Sequence, residues 1–240
     1  MENFCKLICG AALSLFGVIV VADLMKPLKM KRSENVENYI CINGQKVELE
    51  QELIDKVRSM LAGGKKKRTL SNLEPGETFK VGEHEFVVLE HCAGETAVIY
   101  KGLLHQNMEF GENNNFAKSK VLDACEKFAD ELKGIVGEEN LVEHAVDLTS
   151  DDGLDDYGII EKCCVSLLTA NQYRRWVRIL DQHKPERWWW LATPYSTNAH
   201  ENDRWVKCVA PSGGISSVNF YFDVYGVRPF CILKSSIFVS

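Results

Sequence analysis

The sequence lacks the motifs by which the common enzyme and metal-site classes are recognised. No CxxC pair, HExxH motif, GxSxG elbow, P-loop or GxGxxG loop occurs among its 240 residues, so the usual signatures of zinc, hydrolase, nucleotide and dinucleotide sites are missing. A dispersed catalytic triad stays open, because its members need not be close in sequence. The sequence also lacks an excess of positive charge, with 28 Lys+Arg against 34 Asp+Glu. This balance disfavours a globally basic nucleic-acid binder, and we expect no nucleic-acid partner.

The charge that is present is distributed unevenly along the chain. The net charge is −1 over residues 1–24, +5 over residues 25–72 and −10 over residues 73–240. A basic N-terminal part is therefore joined to an acidic body. We divide the chain into a leader or anchor (1–24), a small module (25–62), a basic linker (63–73) and a large domain (74–240).

A long hydrophobic run is also missing. The uncharged stretch Leu7–Ala22 has sixteen residues, short of the ~18 that predict a membrane-spanning helix. It fits a signal-peptide core or a short anchor, and translation from Met25 or Met30 is a third reading. Nine cysteines without a disulfide framework favour reduced thiols. We therefore expect a cytoplasmic or virion-associated protein, with N-terminal membrane association left open.

The small module has the pattern of a hairpin followed by a helix. Two apolar runs flank Asn43-Gly44, the strongest short hairpin signal, and Leu49, Leu53, Val57 and Leu61 recur at helical spacing. The module could serve as an oligomerisation element. The Lys65–Arg68 cluster after it is typical of a solvated linker.

The large domain is predicted to be α+β, with a mainly antiparallel sheet and two helices. Strands are predicted on either side of Gly82-Glu83 and over Thr96–Tyr100, as an antiparallel meander. The first helix carries the stripe Val121, Cys125, Phe128, Leu132 and Ile135. The second begins at the capping box Thr169–Gln172, with Tyr173, Trp176, Val177 and Leu180 facing inward. Further strands are predicted over residues 188–191, 205–209, 218–224 and 227–233.

One acidic loop has the composition of a calcium site. Asp147, Asp151 and Asp152 lie in a run of carboxylates, the ligands that Ca²⁺ prefers, but the spacing fails the EF-hand pattern. They are weak metal candidates, and the alternative is an acidic loop of turn and cap residues. We expect no cofactor.

The aromatic C-terminal block contains the candidate binding residues. Trp188, Trp189 and Trp190 are consecutive on a predicted strand, so neighbouring indoles point to opposite faces. Polar and apolar residues alternate over residues 218–224, which predicts a two-faced strand with a polar side. The predicted ligand-binding residues are Trp189, Arg204, Trp205, Asn219 and Tyr221. The predicted structural residues are Trp188, Trp190 and Arg228, the last because an arginine in an apolar run must be hydrogen-bonded.

These motifs resemble those of a known family. WWWLATP, a glycine turn and GVRPFCILK, together with NNNF, VDLTSDDG and SLLT further upstream, are similar to a domain family of unknown function common in bacteria and their prophages. The resemblance covers about residues 74–240. That family in turn resembles the C-type-lectin-like fold of formylglycine-generating enzymes and of variable receptor-binding proteins. The resemblance implies a mixed fold whose C-terminal strands and loops display a ligand surface.

We therefore expect a non-catalytic module, associated with phage or prophage, that binds a protein or carbohydrate ligand. Two alternatives stay open. One is a formylglycine-generating-type oxidoreductase using Cys208 or Cys231 with copper or oxygen, although the paired cysteines of that branch are missing here. The other is a structural or assembly protein that forms homo-oligomers.

Overall fold

The computed structural model describes residues 39–42, 45–48 and 68–240. The chain divides into two units, residues 1–65 and 66–240. Among the described residues, neither helix is long and apolar enough to cross a membrane. The predicted leader over 7–22, the predicted helix from Leu49 and the lysines at 65–67 lie outside the described residues.

In the first unit, the predicted hairpin is confirmed. β1 (Tyr39–Ile42) pairs antiparallel with β2 (Gln45–Glu48), and Ile42 pairs with Gln45. Two residues therefore separate the paired ends, the loop length that an Asn-Gly turn favours.

The second unit is an α+β domain with antiparallel strand pairing, as predicted. Its strands are β3 (Arg68–Thr69), β4 (Thr78–Val81), β5 (His84–Cys92), β6 (Glu95–Tyr100), β7 (Leu141–Val142), β8 (His144–Asp147), β9 (Ile159–Cys163), β10 (Val165–Ser166), β11 (Trp189–Pro194), β12 (Trp205–Val209), β13 (Ile215–Asn219), β14 (Phe230–Lys234) and β15 (Phe238–Val239). The helices are α1 (Lys120–Val136) and α2 (Ala170–Leu180).

A six-stranded sheet forms the centre of this unit. Its order is β10-β14-β6-β5-β4, and β7 also pairs with β14. The meander β4–β5–β6 is thus confirmed, and β14, from the C-terminal part of the chain, pairs with β6 beside it. A second sheet has the order β11-β12-β13, and β8 and β9 form a hairpin.

Two apolar clusters lie on opposite sides of the six-stranded sheet. The larger contains the inner face of α1, including Val121, Cys125 and Phe128, and the smaller contains the inner face of α2. Burying each large apolar side chain stabilises the fold by about 1.5–3 kcal/mol. Ile135, predicted in the α1 stripe, is instead 45% exposed and lies at the surface next to Gly82.

Both helices begin where side chains satisfy their free N–H groups. Ser119 accepts a hydrogen bond from the Leu122 N–H at the start of α1. The predicted capping box at Thr169 and Gln172 is confirmed at the start of α2, and such a cap contributes about 1 kcal/mol.

The predicted strand over 218–224 is wrong in its bounds. β13 spans Ile215–Asn219, and the Phe222 N–H donates to the Asn219 carbonyl at 3.2 Å, which closes a turn. The alternation beyond Asn219 therefore does not describe a two-faced strand. Phe222 and Val224, which the pattern placed on its buried face, are 44% and 57% exposed.

Two neighbouring predictions need smaller corrections. The strand predicted from Trp188 begins at Trp189 and continues to Pro194. The strand predicted from Val227 begins at Phe230, because the peptide of Val227 pairs instead with His105.

A partly buried histidine makes the stability of this unit depend on pH. The Nε2 atom of His144 lies 2.9 Å from the Ser166 hydroxyl, and its ring meets Phe230 edge-on at 5.2 Å. Burial lowers the pKa of His144 to about 4, and contact with the Val142 backbone offsets only part of this effect. Between pH 6.5 and 4 the unfolded chain therefore takes up a proton that the folded chain does not. The free energy of unfolding should fall by about 3 kcal/mol as the pH falls through this window.

Urea unfolding of the wild type and of His144→Gln between pH 7.5 and 4 tests this expectation. The wild type should lose about 3 kcal/mol more than the variant over that range. His105→Gln, which changes an exposed histidine, is the control and should keep the wild-type pH dependence. Parallel curves for wild type and His144→Gln would contradict the assignment.

Candidate functional site

The candidate site is one face at the end of the β11–β13 sheet, formed by Tyr195, Trp205, Lys207 and Asn219. We call it the Trp205 face. The Tyr195 N–H donates to the Trp205 carbonyl at 2.9 Å, and Trp205 pairs with Asn219 across β12 and β13. Directly opposed residues of antiparallel strands point to the same side of a sheet, so the side chains of Tyr195, Trp205 and Asn219 are neighbours.

Two aromatic rings of the Trp205 face are open to solvent. Tyr195 and Trp205 are each 43% exposed. The Lys207 ammonium lies 5.6 Å from the centre of the Tyr195 ring, within the range of a cation–π contact. Tyr195 therefore has its orientation fixed by Lys207 while part of its ring is free to contact a ligand.

Two ion pairs that share Asp151 hold the Lys207 side of the face in place. Lys207 donates to one oxygen of Asp151 at 3.0 Å and Arg174 donates to the other at 2.9 Å. Burial alone would raise the pKa of Asp151, but the bonds from Arg174 and Lys207 outweigh it and hold that pKa below its ordinary value. The carboxylate therefore stays ionised at neutral pH and fixes both cations.

Asn219, the last residue of β13, lies at the β13 side of the face. Its side chain is only 7% exposed, and its Oδ1 atom accepts no hydrogen bond from the described residues. Most buried polar atoms in proteins have a partner. Because Asn219 pairs with the exposed Trp205, its Oδ1 atom is a candidate acceptor for a donor from a ligand.

Asn114 holds the strand ends that carry the face. It is fully buried, and its Nδ2 group donates to the carbonyls of Ser196 at 2.8 Å and Trp205 at 3.0 Å. Its Oδ1 atom accepts from the Tyr157 hydroxyl at 2.7 Å. The NNNF segment thus ties the backbone beneath Tyr195 and Trp205 to the loop that contains Tyr157.

The acidic loop braces the same region. Asp152 accepts hydrogen bonds from the hydroxyls of Ser150 and Ser196 at 2.5 and 2.7 Å, and one of its oxygens lies 3.1 Å from the His200 ring. These contacts, led by the bond from Ser150, lower the pKa of Asp152 to about 2. The loop and the segment after β11 are therefore joined through one ionised carboxylate.

The three weak metal candidates are directed to separate partners. Asp147 accepts from the backbone and hydroxyl of Thr149, Asp151 binds Lys207 and Arg174, and Asp152 binds the serines. Within residues 68–240 no group of three or more His, Cys, Asp or Glu side chains is placed to hold a metal ion. The carboxylates act here as turn, ion-pair and bracing groups.

The structure divides the five predicted ligand-binding residues into three groups. Trp205 and Asn219 come together on the Trp205 face. Arg204 is exposed just before β12, and Tyr221 is 56% exposed beyond β13 against Phe222, with the ring centres 4.9 Å apart. Trp189, which we predicted at the surface, is 1% exposed.

Trp189 is buried because the β11–β13 sheet is covered on both sides here. Its ring meets Tyr173 edge-on at 5.7 Å in the cluster of α2, while Trp190 packs into the cluster of α1 and donates to the Met108 carbonyl at 2.8 Å. The alternation of neighbouring indoles is as predicted, but both faces are core. Trp188, predicted to be structural, is 37% exposed, and its ring packs edge-on against Tyr225 with the ring centres 5.9 Å apart.

Arg228 is fully buried, as the apolar sequence around it implied. It donates to the carbonyls of Tyr100, Lys101 and His183 at 2.8–3.3 Å, and its guanidinium lies 5.2 Å from the centre of the Trp189 ring. Burial lowers the pKa of Arg228 to about 10, so the group is still charged at neutral pH. Its contacts are internal and join β6 to the segment after α2.

The sequence did not predict Tyr195 and Lys207 of the face, nor Arg174, which supports Lys207 through Asp151. Lys207 had a detectable signal, since it is a single cation inside the apolar strand Trp205–Val209. Tyr195 follows Pro194 at the end of the tryptophan block, where an exposed aromatic could have been suspected. Arg174 joins through Asp151, which is distant in sequence, and no local pattern indicates that contact.

With this geometry in place, comparison with known proteins gives one family. Residues 133–235 match the model of a domain of unknown function, DUF6273. The match confirms the predicted resemblance to a domain family of unknown function. The matched residues begin inside α1 and include every residue of the Trp205 face. No curated protein and no solved structure matches the chain significantly.

Proposed function

We propose that the second unit is a non-catalytic binding module and that its ligand occupies the Trp205 face. The observation that carries the proposal is the buried Oδ1 atom of Asn219, which has no hydrogen-bond partner among the described residues. Leaving a buried acceptor unpaired costs about 1–3 kcal/mol. A ligand that donates a hydrogen bond to this atom, once the Asn219 side chain turns outward, would recover that free energy.

The exposed rings supply the apolar part of the contact. Trp205 lies between Tyr195 and Asn219 in the strand order, and tryptophan and tyrosine dominate the energetic centres of protein interfaces. Their rings can lie against the apolar face of a sugar or against an apolar side chain. Two adjacent rings with a polar acceptor at one end can recognise the shape of a ligand and one of its donor groups together.

The charged side chains at the face hold one another in place and leave little charge to attract a ligand. Lys207 and Arg174 share one carboxylate, Asp151, and the Lys207 side chain is only 10% exposed. A cation already paired in this way offers little to an anionic ligand. We therefore expect ligand binding to depend weakly on salt.

The burial of the two candidate thiols supports the non-catalytic part of the proposal. Cys208 and Cys231 are both fully buried, and burial raises the pKa of Cys208 to about 12 and that of Cys231 far above its ordinary value. A thiol has to form the thiolate to react. At neutral pH neither Cys208 nor Cys231 forms a thiolate.

The wider context of the proposal comes from the sequence resemblance. It supports a C-type-lectin-like fold, in which the C-terminal strands and loops form a ligand-binding surface. It also supports a phage- or prophage-associated protein in the cytoplasm or on the virion. The Trp205 face lies on such strands. Fold resemblance by itself does not give function, so the proposal rests on the geometry of the face.

A binding screen with matched variants tests the proposal. The purified protein is applied to an array of immobilised glycans and to a phage-displayed library of random dodecapeptides. Trp205→Ala should weaken any resulting binder by about 30-fold or more, since an aromatic at the centre of an interface contributes at least about 2 kcal/mol. Phe238→Ala is the control, because Phe238 is 69% exposed and is no part of the face. No binder in either screen, or equal binding by wild type and Trp205→Ala, would overturn the proposal.

A further inference from the structure

The β11–β13 sheet has one covered edge and one open edge. Along the outer edge of β11, the Trp190 N–H donates to the Gly226 carbonyl and the Ala192 N–H to the Leu168 carbonyl. In the six-stranded sheet, the outer edge of β4 is covered too, since Lys80 and Ser240 exchange backbone hydrogen bonds. β13 is the other terminal strand of its sheet.

The register determines which backbone groups of β13 point outward. The Phe220 N–H donates to the Arg204 carbonyl at one end of the ladder, and the Ala210 N–H donates to the Gly214 carbonyl at the other. Hydrogen-bonded and non-hydrogen-bonded pairs alternate between these ends. The pairs Val209–Ile215 and Lys207–Ser217 are therefore of the second kind, and the peptide groups of Ile215 and Ser217 point away from β12.

These outward groups have no partner in the part of the chain that the structure describes. Within residues 68–240, neither the N–H nor the carbonyl of Ile215 or Ser217 takes part in a hydrogen bond outside the strand ladder. Proteins commonly protect such an edge with lysine, proline or a bulge. The sequence of β13, ISSVN, has no charge and no proline, and its pairing with β12 is regular.

We propose that the ligand of the Trp205 face is an extended peptide segment of a partner protein, which pairs with β13 as a fourth strand. This inference rests on the proposed function and names its ligand class. Strand addition uses the outward backbone groups for affinity and neighbouring side-chain pockets for specificity. The unpartnered Oδ1 atom of Asn219, 93% buried at the end of this same edge, receives a donor from the peptide, and Trp205 packs against one of its side chains.

A peptide accounts for the observations better than a sugar does. A sugar ring would use the exposed rings and the Asn219 acceptor, but it would leave the row of outward N–H and carbonyl groups unpaired. An extended peptide satisfies all three features at once. Because β13 carries no charged side chain, the pairing needs no particular charge on the peptide.

The test uses peptides enriched from the random dodecapeptide library and two variants at one position. Ser217→Pro removes the outward N–H, and proline is tolerated in an edge strand where that group faces solvent. Ser217→Ala keeps the N–H and removes only the hydroxyl. We expect Ser217→Pro to weaken peptide binding at least tenfold and Ser217→Ala to leave it within about twofold of wild type.

Amide hydrogen exchange on the unmodified protein provides a second readout that does not depend on the folding of a variant. The Ser217 amide should exchange without protection in the free protein, and at least tenfold more slowly when the protein is saturated with an enriched peptide. Unchanged exchange at Ser217 in the complex would overturn strand addition. So would equal peptide binding by a folded Ser217→Pro variant and the wild type.

The screen separates the failure of this inference from that of the proposed function. A glycan that binds and is lost in Trp205→Ala, with no peptide enriched, overturns strand addition and supports the binding module. Enriched peptides that depend on Trp205 but not on the Ser217 N–H likewise overturn strand addition and support the binding module. Peptides whose binding requires both Trp205 and the Ser217 N–H support both the binding module and strand addition.

Discussion

Replacing Arg228 with alanine is expected to lower the free energy of unfolding by about 4 kcal/mol. Three backbone carbonyls, of Tyr100, Lys101 and His183, lose their donors, and each buried acceptor left unpaired costs about 1–3 kcal/mol. The ring of Trp189 loses a cation, and the truncation leaves a cavity in the core. Urea unfolding at pH 7 measures the effect.

Two further variants separate the causes of that loss. Arg228→Met fills much of the volume but donates no hydrogen bond, so we expect it to lose about 2–3 kcal/mol. Arg178→Ala removes an exposed arginine of α2 and should change stability by less than about 0.5 kcal/mol. A loss below about 1 kcal/mol in Arg228→Ala would show that the guanidinium does not join β6 to the segment after α2.

Replacing Asn114 with alanine is expected to have the second largest effect, about 3 kcal/mol. The change removes donors from the carbonyls of Ser196 and Trp205 and leaves the Tyr157 hydroxyl without its acceptor. Because those carbonyls belong to the backbone under the Trp205 face, binding should weaken along with stability. Urea unfolding and titration with an enriched binder measure the two effects.

The neighbouring asparagine is the matched control. Asn113 accepts one local hydrogen bond, from the Asn115 N–H, so Asn113→Ala should cost about 1 kcal/mol or less. It should also leave binding unchanged. Equal losses in the two variants would mean that Asn114 does not act as a brace between the loop and the strand ends.

Local patterns predicted those parts of the fold that depend on neighbours in sequence. The hairpin around Asn43-Gly44, the meander β4–β5–β6, the capping box at Thr169 and the bounds of β12 each follow from turn residues, alternation or capping over a few positions. In all of these the interaction that fixes the structure lies within the segment. The α+β class then followed from the order of the elements.

The candidate site was predicted only in part, because its geometry depends on contacts between distant segments. Alternation correctly separated Trp189 from Trp190, but it could not show that helix α2 covers the side on which Trp189 lies. The same pattern extended β13 too far, since a turn at Asn219 ends the strand. Trp205 and Asn219 were found from residue type, whereas Tyr195 and Lys207 join the face through the strand register, and Arg174 supports Lys207 through Asp151.

The most direct test of the central claim is a nuclear magnetic resonance titration of ¹⁵N-labelled protein with the tightest binder from the two screens. We predict that the largest shifts occur at the Trp205 indole N–H and the Asn219 side-chain amide. The indole signals of the buried Trp189 and Trp190 should move less. Largest shifts around Ile135 and Phe238, which line a groove of about 380 Å³ elsewhere in the unit, with Trp205 and Asn219 unmoved, would contradict the assignment of the Trp205 face as the binding site.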